Sequence, residues 1–251
     1  MGSERYGLIS PFDLIVWSPP LTTEDSGVPS AATNMQAAKV FLLLSSMLVL
    51  ALPIYALDDP KVAHAKYDEL FAKVHRGDLN VDWQALRLAA RVGEVYGDYD
   101  PYDAAKRAQA SFEKGDFEGA LTIAQETERH NVADADAHVA AWSCLKNLGR
   151  QREADREWNI LQALLRSILK SGDGKSAKTA WFVVGIREEH LVTDAALQMQ
   201  IKEQRSVKQD GHYYDMVLVT DQSGKDTVLW FNTDADIELG IRAGDEGHHI
   251  Y

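Results

Sequence analysis

The spacing of apolar residues changes once along the chain, and this change constrains the fold more than any other feature. From Pro60 to about Ser171, apolar residues recur every three or four positions, as on one face of an α-helix. After residue 178 they alternate, as in half-buried strands. A chain with its helices before its strands predicts an α+β fold, in which helical hairpins pack on a small C-terminal, mainly antiparallel sheet.

The helical part contains a 34-residue repeat. Gly115 and Gly149 are 34 positions apart, as are Ala120 and Ala154. This is the period of tetratricopeptide repeats, with a glycine at the turn between antiparallel helices and an alanine at a close helix contact. Two units are too few to stand alone, so flanking helices or the C-terminal part must complete the core. We place the paired helices at 102–114 with 116–129, and at 134–148 with 150–170.

In the C-terminal part we predict strands at 179–185, 201–208, 212–220 and 226–233, and a helix at 187–198. A loop at 221–225 sets the register of the last hairpin. His212 then faces Asp234, and Tyr214 faces Asn232, while Asp215 points to the opposite face of the sheet. The tail 236–251 has no apolar period, and we expect it to be mobile.

The first 56 residues are not expected to belong to the folded domain. Residues 1–34 are rich in turn residues, which indicates a disordered extension; we interpret it as a gene-start artefact. Residues 35–56 combine Lys39 with the uncharged apolar run Val40–Ala56, typical of a secretory signal peptide. A retained membrane anchor is the alternative. We therefore predict a periplasmic or secreted α+β domain at 57–235, with a helical part at 60–171 and a sheet part at 172–235.

Charge and cysteine content exclude several classes of partner. The formal net charge is -12, whereas nucleic-acid binding needs a basic face. The single cysteine, Cys144, cannot form an internal disulfide, and we expect it to be a buried core thiol. No Cys/His spacing typical of zinc sites occurs. We expect no cofactor, no metal ligand set, and no membrane contact beyond an uncleaved signal sequence.

The stretch "GDGKS" at 172–176 resembles half of a phosphate-binding loop. A complete loop needs a glycine at position 169, but Leu169 is there, on the predicted buried face of a helix. The predicted order is helix, loop, strand, whereas phosphate binding needs a helix N-terminus after the loop. We therefore exclude a nucleotide partner. We expect Gly172 to end the long helix in a left-handed conformation.

The polar residues of the C-terminal part are the candidates for a binding site. No Ser–His–Asp or Cys–His arrangement has supporting spacing, so no catalytic residue is assigned. We expect most of these side chains to cap helices and hold loops, because that is what isolated polar residues usually do. The candidate binding residues are Asp173, Lys175, Ser176, Glu189, His212, Asp215, Asn232 and Asp234.

The motifs "VDWQALRLA", "KGDFEGAL", "SILKSGDGKS", "GHYYD" and "LWFNTD" occur in the order seen in a bacterial family. The chain resembles this domain-of-unknown-function family, number four-nine-one-nine, from about residue 65 to residue 235. The resemblance implies a small exported protein with repeat-like helices before a sheet, and no established activity. The chain departs from the pattern at "SAKTA", where a proline is expected, at His190, where an aromatic residue is expected, and after Asp234, where an acidic segment is added.

Two functional hypotheses follow. The first is a non-enzymatic module that binds another protein or a component of the cell envelope, because stacked repeat helices form concave binding surfaces. The alternative is a hydrolase or metal-dependent enzyme built on the C-terminal polar motifs. The enzyme hypothesis predicts that Asp173, Lys175, His212 and Asp234 converge in one pocket. Scattered positions would favour the binding module.

The apolar segment generates a prediction about export. We predict cleavage after Ala56, so that the mature chain begins at Leu57. N-terminal sequencing of the protein recovered from the cell envelope measures this directly. A cytosolic chain that still begins at Met1 or Met35 would contradict it.

Overall fold

The computed structural model describes residues 59–245 and has an α+β fold. The predicted extension at 1–34, the predicted signal peptide at 35–56 and residues 246–251 lie outside this range. Within residues 59–245, no helix is long and apolar enough to cross a membrane. The helices before the sheet are α1 Pro60–His75, α2 Trp83–Val92, α3 Pro101–Glu113, α4 Phe117–His130, α5 Ala135–Asn147 and α6 Gln151–Leu169.

Aspartates define the N-termini of most of these helices. The side chain of Asp82 accepts a hydrogen bond from the Ala85 amide, so Asp82 is the N-cap of α2. Asp100, Asp116 and Asp134 cap α3, α4 and α5 in the same way. Because the caps are local signals, the predicted bounds of α3 to α6 differ from the observed ones by one residue at each end.

The turns between α3 and α4 and between α5 and α6 are built alike. Gly115 has a φ of 78° and Gly149 a φ of 72°, a left-handed conformation that glycine adopts without strain. In each turn the glycine amide donates to a carbonyl three residues earlier, and the next amide to one five residues earlier. Ala120 and Ala154 are both almost fully buried. The local geometry thus repeats after 34 residues, while membership of the tetratricopeptide class stays a prediction.

Helices α1 and α2 complete the helical part. Tyr67, Val74 and Leu86 pack in one core cluster with Ile160 and Leu164 of α6. The other side of α6 packs on the sheet, where Leu161, Leu165 and Ile168 meet the sheet residues Val217, Val219, Leu229 and Phe231. We expected either flanking helices or the C-terminal part to complete the core, and in the structure both pack against α6. Cys144 is fully buried, as expected of a core thiol.

The sheet has four strands in the order β1-β4-β3-β2. Neighbours β2–β3 and β3–β4 are antiparallel, and β1 runs parallel to β4. The hairpin register pairs Tyr214 with Asn232, as predicted. The strands are β1 Trp181–Phe182, β2 Gln200–Gln209, β3 His212–Thr220 and β4 Asp226–Asn232.

The prediction of a strand at 179–185 was too long. Residues Ala177–Thr179 form a 3-10 turn, and the Thr179 carbonyl accepts hydrogen bonds from the amides of Asp173 and Gly174. The chain leaves the sheet again at Val184, whose amide donates to the Glu188 side chain. An apolar run gives no sign of these local bonds, so its β-branched and aromatic residues suggested a longer strand.

The prediction for Gly172 was also wrong. Its φ is not positive, and α6 ends earlier, at Leu169. Gly172 is required for space instead, because a Cβ there would lie 2.3 Å from the Thr179 carbonyl oxygen. The left-handed glycine is Gly174, which lies against the ring of Trp181. The "GDGKS" stretch is thus a compact loop that packs on the start of the sheet.

Two further differences concern the C-terminal helices. The helix predicted at 187–198 exists as α7 Ile186–His190 followed by a wider π-helical turn, Leu191–Ala196. The tail expected to be mobile from residue 236 instead begins in a helix, α8 Asp234–Asp245. Ala235 of α8 packs with Val92 and Val184. The apolar residues of α8 are too few to show a helical period.

The repeated turn generates a stability prediction. Ala154→Trp should overpack the contact of α6 with α4 and α5 and lower the free energy of unfolding by roughly 1–3 kcal/mol. Asn159→Trp, at an exposed position of the same helix, is the matched control. Urea denaturation measures both. Equal midpoints for Ala154→Trp and the unchanged chain would show that Ala154 lies at no close contact.

Candidate functional site

The residues predicted as a site divide into three separate networks. The first is the loop after α6. In the described part of the chain, the hydrogen bonds of Lys175 and Ser176 stay within this loop: the Lys175 amide donates to Asp173 Oδ1 over 3.1 Å, and the Ser176 and Thr179 hydroxyl oxygens are 3.0 Å apart. Hydrogen bonds from Thr179 and from the Lys175 amide hold the pKa of Asp173 below its usual value. The Lys175 side chain is 81% exposed. The loop backbone is bound to the sheet, because the Trp230 amide donates to the Gly174 carbonyl over 2.9 Å.

The second network joins the hairpin to α8. His212 Nδ1 and Asp234 Oδ2 are 2.7 Å apart, which confirms the predicted contact. Asp234 also accepts hydrogen bonds from the Tyr213 amide at 2.6 Å and from the Asn232 side chain at 3.0 Å. With three partners, this carboxylate is fully engaged within the protein. Its position at the first turn of α8 also complements the helix dipole, so the network fixes the start of that helix.

The third network is a pair of carboxyl groups on the other face of the sheet from His212. Gln204 Nε2 donates to Glu189 Oε2 at 3.0 Å and to Asp215 Oδ2 at 2.8 Å. Burial, followed by the nearby charge of Asp215, raises the pKa of Glu189 to about 9. Glu189 is therefore protonated at neutral pH and can donate to Asp215.

The backbone hydrogen bond from the Trp230 amide to the Gly174 carbonyl ties the loop to the hairpin. Among the residues that the structure describes, however, no side-chain hydrogen bond or ion pair joins Asp173, Lys175 or Ser176 to the His212–Asp234 contact, or either group to Glu189 and Asp215.

A larger concave site than these networks offer lies elsewhere in the described part of the chain, between the helical part and α8. It is a cleft of about 650 Å³, lined by α2, the segment after it, the first turns of α3 and α5, and the turn at 184–188. Three arginines and five carboxylates line it, so it is polar and carries an excess of negative charge. We call it the arginine cleft and define it by Arg87, Arg91, Tyr96, Tyr102, Arg187 and Glu188.

Arg87 is the most unusual residue of the arginine cleft. Its side chain is 1% exposed, and its Nη1 forms an ion pair with Glu188. Its Nε donates to the Ser167 hydroxyl over 2.9 Å. Its Nη2 is buried and has no hydrogen-bond partner in the described part of the chain. A buried donor without an acceptor costs about 1–3 kcal/mol, more for a charged group, so any acceptor that reached Nη2 would be favoured.

Arg187 occupies the other end of the cleft. Its Nε lies 2.6 Å from Asp136 Oδ2, and its Nη1 lies 3.5 Å from Asp134 Oδ2. The guanidinium stacks over the Tyr102 ring at 5.2 Å. Tyr96 donates its hydroxyl to Asp134, and burial together with that carboxylate raises the pKa of Tyr96. These contacts hold both aromatic rings and Arg187 at the N-terminus of α5.

A second, apolar groove continues from the cleft along α3 and α5. It encloses about 250 Å³ and shares Pro101, Asp134, Asp136 and Arg187 with the arginine cleft. Its walls consist mainly of small side chains, which leave room between the two helices. We call it the alanine groove and define it by Ala104, Ala105, Ala108, Phe112, Ala137 and Ala140.

Sequence analysis missed both sites, although one signal was readable. In "DWQALRLAARV", Arg87 lies four residues after Trp83 and three before Ala90, on the buried face of an amphipathic helix. A charge in an apolar stripe requires a buried partner and therefore marks a specific environment. Its partner Glu188 comes from 101 residues further along the chain, which no local pattern indicates.

The raised pKa of Glu189 generates a prediction about pH. The folded chain keeps the Glu189 proton up to about pH 9, whereas the unfolded chain releases it near 4.5, so stability falls as pH rises through this window. Glu189→Gln has the shape of the protonated acid and does not titrate. Its free energy of unfolding relative to the unchanged chain should therefore increase with pH, by at most about 1.4 kcal/mol per unit.

Urea denaturation from pH 5 to 9 measures this difference. Glu203→Gln, at an exposed position on β2, is the control and should run parallel to the unchanged chain. A parallel curve for Glu189→Gln would show that Glu189 is ionised in the folded protein.

Comparison with known proteins gives one match. The family described as Domain of unknown function (DUF4919) matches residues 91–239, from the last turn of α2 into α8. No curated protein and no solved structure matches the chain. The match covers more than half of the 251 residues and begins later than the expected residue 65. The chain belongs to the DUF4919 family.

Proposed function

We propose that the chain is a non-enzymatic binding module that holds an extended peptide segment of another protein in the alanine groove and the arginine cleft. The proposal rests on the buried Arg87 Nη2, which has no acceptor among residues 59–245 and belongs to a residue lining the cleft. A peptide carbonyl or a carboxylate oxygen is an acceptor of the right kind.

The alanine groove suits the apolar side chains of such a segment. Its walls carry small aliphatic residues and one aromatic ring, Phe112, so the groove is apolar and open rather than filled. Apolar side chains that enter it leave water, and this burial favours binding in proportion to the area covered. An extended chain presents side chains at regular intervals and can occupy the groove while its backbone continues into the cleft.

The charges of the arginine cleft favour a peptide over a polyanion. Arg87, Arg91 and Arg187 are each paired with a carboxylate of the cleft. A nucleotide or a nucleic acid would need a positive excess, which this arrangement does not provide. A neutral carbonyl, or a single carboxylate, can instead accept a hydrogen bond from Arg87 without displacing an existing partner.

The proposed partner belongs to the cell envelope. This part of the proposal rests on the apolar run Val40–Ala56, which has the pattern of an export signal. The enzymatic alternative receives less support from the arrangement of side chains. Among the described residues, no hydrogen bond or ion pair joins the candidate side chains of the loop, of the hairpin network and of the Glu189–Asp215 pair, whereas a catalytic site needs its groups within reach of one substrate.

The proposal predicts that filling the alanine groove abolishes peptide binding. Ala105→Trp places a large ring at an exposed position of the groove wall, so it should block the groove without disturbing the core. Ala110→Trp makes the same change at an exposed position of α3 that does not line the groove. Peptides selected from a random-peptide phage library on the unchanged chain should lose about tenfold or more in affinity, equivalent to ~1.4 kcal/mol, with Ala105→Trp alone.

Fluorescence polarisation with the selected peptides, synthesised and labelled, measures these affinities. Equal binding by the two tryptophan variants would place the peptide outside the groove. A selection that enriches no peptide would count against a peptide ligand altogether.

A further inference from the structure

A buried cluster of one histidine and two glutamates lies inside the helical part, apart from both concave sites. Glu128 comes from α4, His138 from α5 and Glu157 from α6, and one ligand atom of each lies within 4.8 Å of the others. His138 is 1% exposed, and Glu157 is buried as well. None of the three lines the alanine groove or the arginine cleft, so the cluster is independent of the proposed function.

The orientation of His138 is set by the backbone. Its Nε2 lies 2.9 Å from the Val132 carbonyl oxygen, which can only accept, so Nε2 carries a hydrogen. The other nitrogen, Nδ1, lies 2.7 Å from Glu157 Oε2 and 3.4 Å from Glu128 Oε1. A histidine that donates from one nitrogen to a backbone carbonyl and directs the other at carboxylates is the arrangement typical of a metal ligand.

The centre of the cluster must hold a proton or a cation. A neutral His138 would direct the Nδ1 lone pair at two carboxylates, which is repulsive. One proton on Nδ1 can form one good hydrogen bond, and the geometry gives it to Glu157. Glu128 Oε1 is then a buried oxygen without a hydrogen-bond partner among the described residues. A divalent cation, in contrast, contacts all three atoms at once and balances both carboxylates.

We propose that Glu128, His138 and Glu157 bind a divalent transition-metal ion of the zinc class. One imidazole nitrogen and two carboxylate oxygens form a ligand set used for Zn²⁺, and three protein ligands leave a fourth position for water. Bonds of about 2.0 Å place tetrahedral ligand atoms about 3.3 Å apart, close to the separations around Nδ1. Because each ligand belongs to a different helix, the ion joins α4, α5 and α6.

Co²⁺ is the probe, since it occupies zinc sites and absorbs visible light when its coordination is tetrahedral. The chelator-treated mature chain should bind one Co²⁺ with visible absorption bands, and Zn²⁺ should displace it. Metal that binds only the folded chain should also raise the Tm. No absorption and no change in Tm with either metal would overturn the proposal and show that protons occupy the cluster.

Glu128→Gln is the decisive variant, because it keeps the shape of the side chain and removes one ligand charge. Its Co²⁺ affinity should fall at least about tenfold. Glu126→Gln, two residues away on α4, is the matched control and should bind as the unchanged chain does. The adjacent His248 and His249 could also bind Co²⁺ together, so the double substitution His248→Ala/His249→Ala is a second control and should bind Co²⁺ as the unchanged chain does. Loss of the bands in that double variant, or their retention in Glu128→Gln, would overturn the proposal.

Discussion

The packing of α6 is the constraint on which the rest of the structure depends. This one helix supplies Ala154 to the cluster with α4 and α5, Ile160 and Leu164 to the cluster with α1 and α2, and Leu161, Leu165 and Ile168 to the face of the sheet. Its 19 residues are long enough to carry all three surfaces. The helical part and the sheet therefore share one core, and neither buries its apolar face without α6.

The elements that sequence predicted well are those with local signals. The aspartate caps, the glycines of the repeated turns and the helical spacing of α6 are each determined by a few neighbouring residues. The predicted helix bounds are therefore close to the observed ones. The register of the hairpin followed from the length of one loop, so the contact of His212 with Asp234 was predictable too. The alternation of side chains along a strand likewise predicted that Asp215 lies on the face of the sheet opposite to His212.

What sequence could not show depends on partners far apart in the chain. The ion pair of Arg87 with Glu188 and the cluster of Glu128, His138 and Glu157 form only when several helices pack. We expected no metal ligand set because the sequence has no Cys/His spacing typical of zinc sites. Three ligands on three different helices need no fixed spacing along the chain, so this criterion could not find them. The short β1 and the early start of α8 depend on single buried contacts, such as that of Ala235. A single contact produces no periodic pattern in the sequence, so it could not be predicted.

The attachment of α8 determines how readily the arginine cleft opens. Asp236 of α8 lines the cleft and forms an ion pair with Arg91 at 2.9 Å, so one wall belongs to the last described helix. The Asp234 network, Ala235 and Leu239 hold the first half of that helix, and its pair with Arg91 is partly exposed to solvent. Segments with few buried contacts open at a lower free energy than the core. We expect α8 to exchange its amide hydrogens sooner than α6, and a ligand in the cleft to slow that exchange, because it would hold the wall closed.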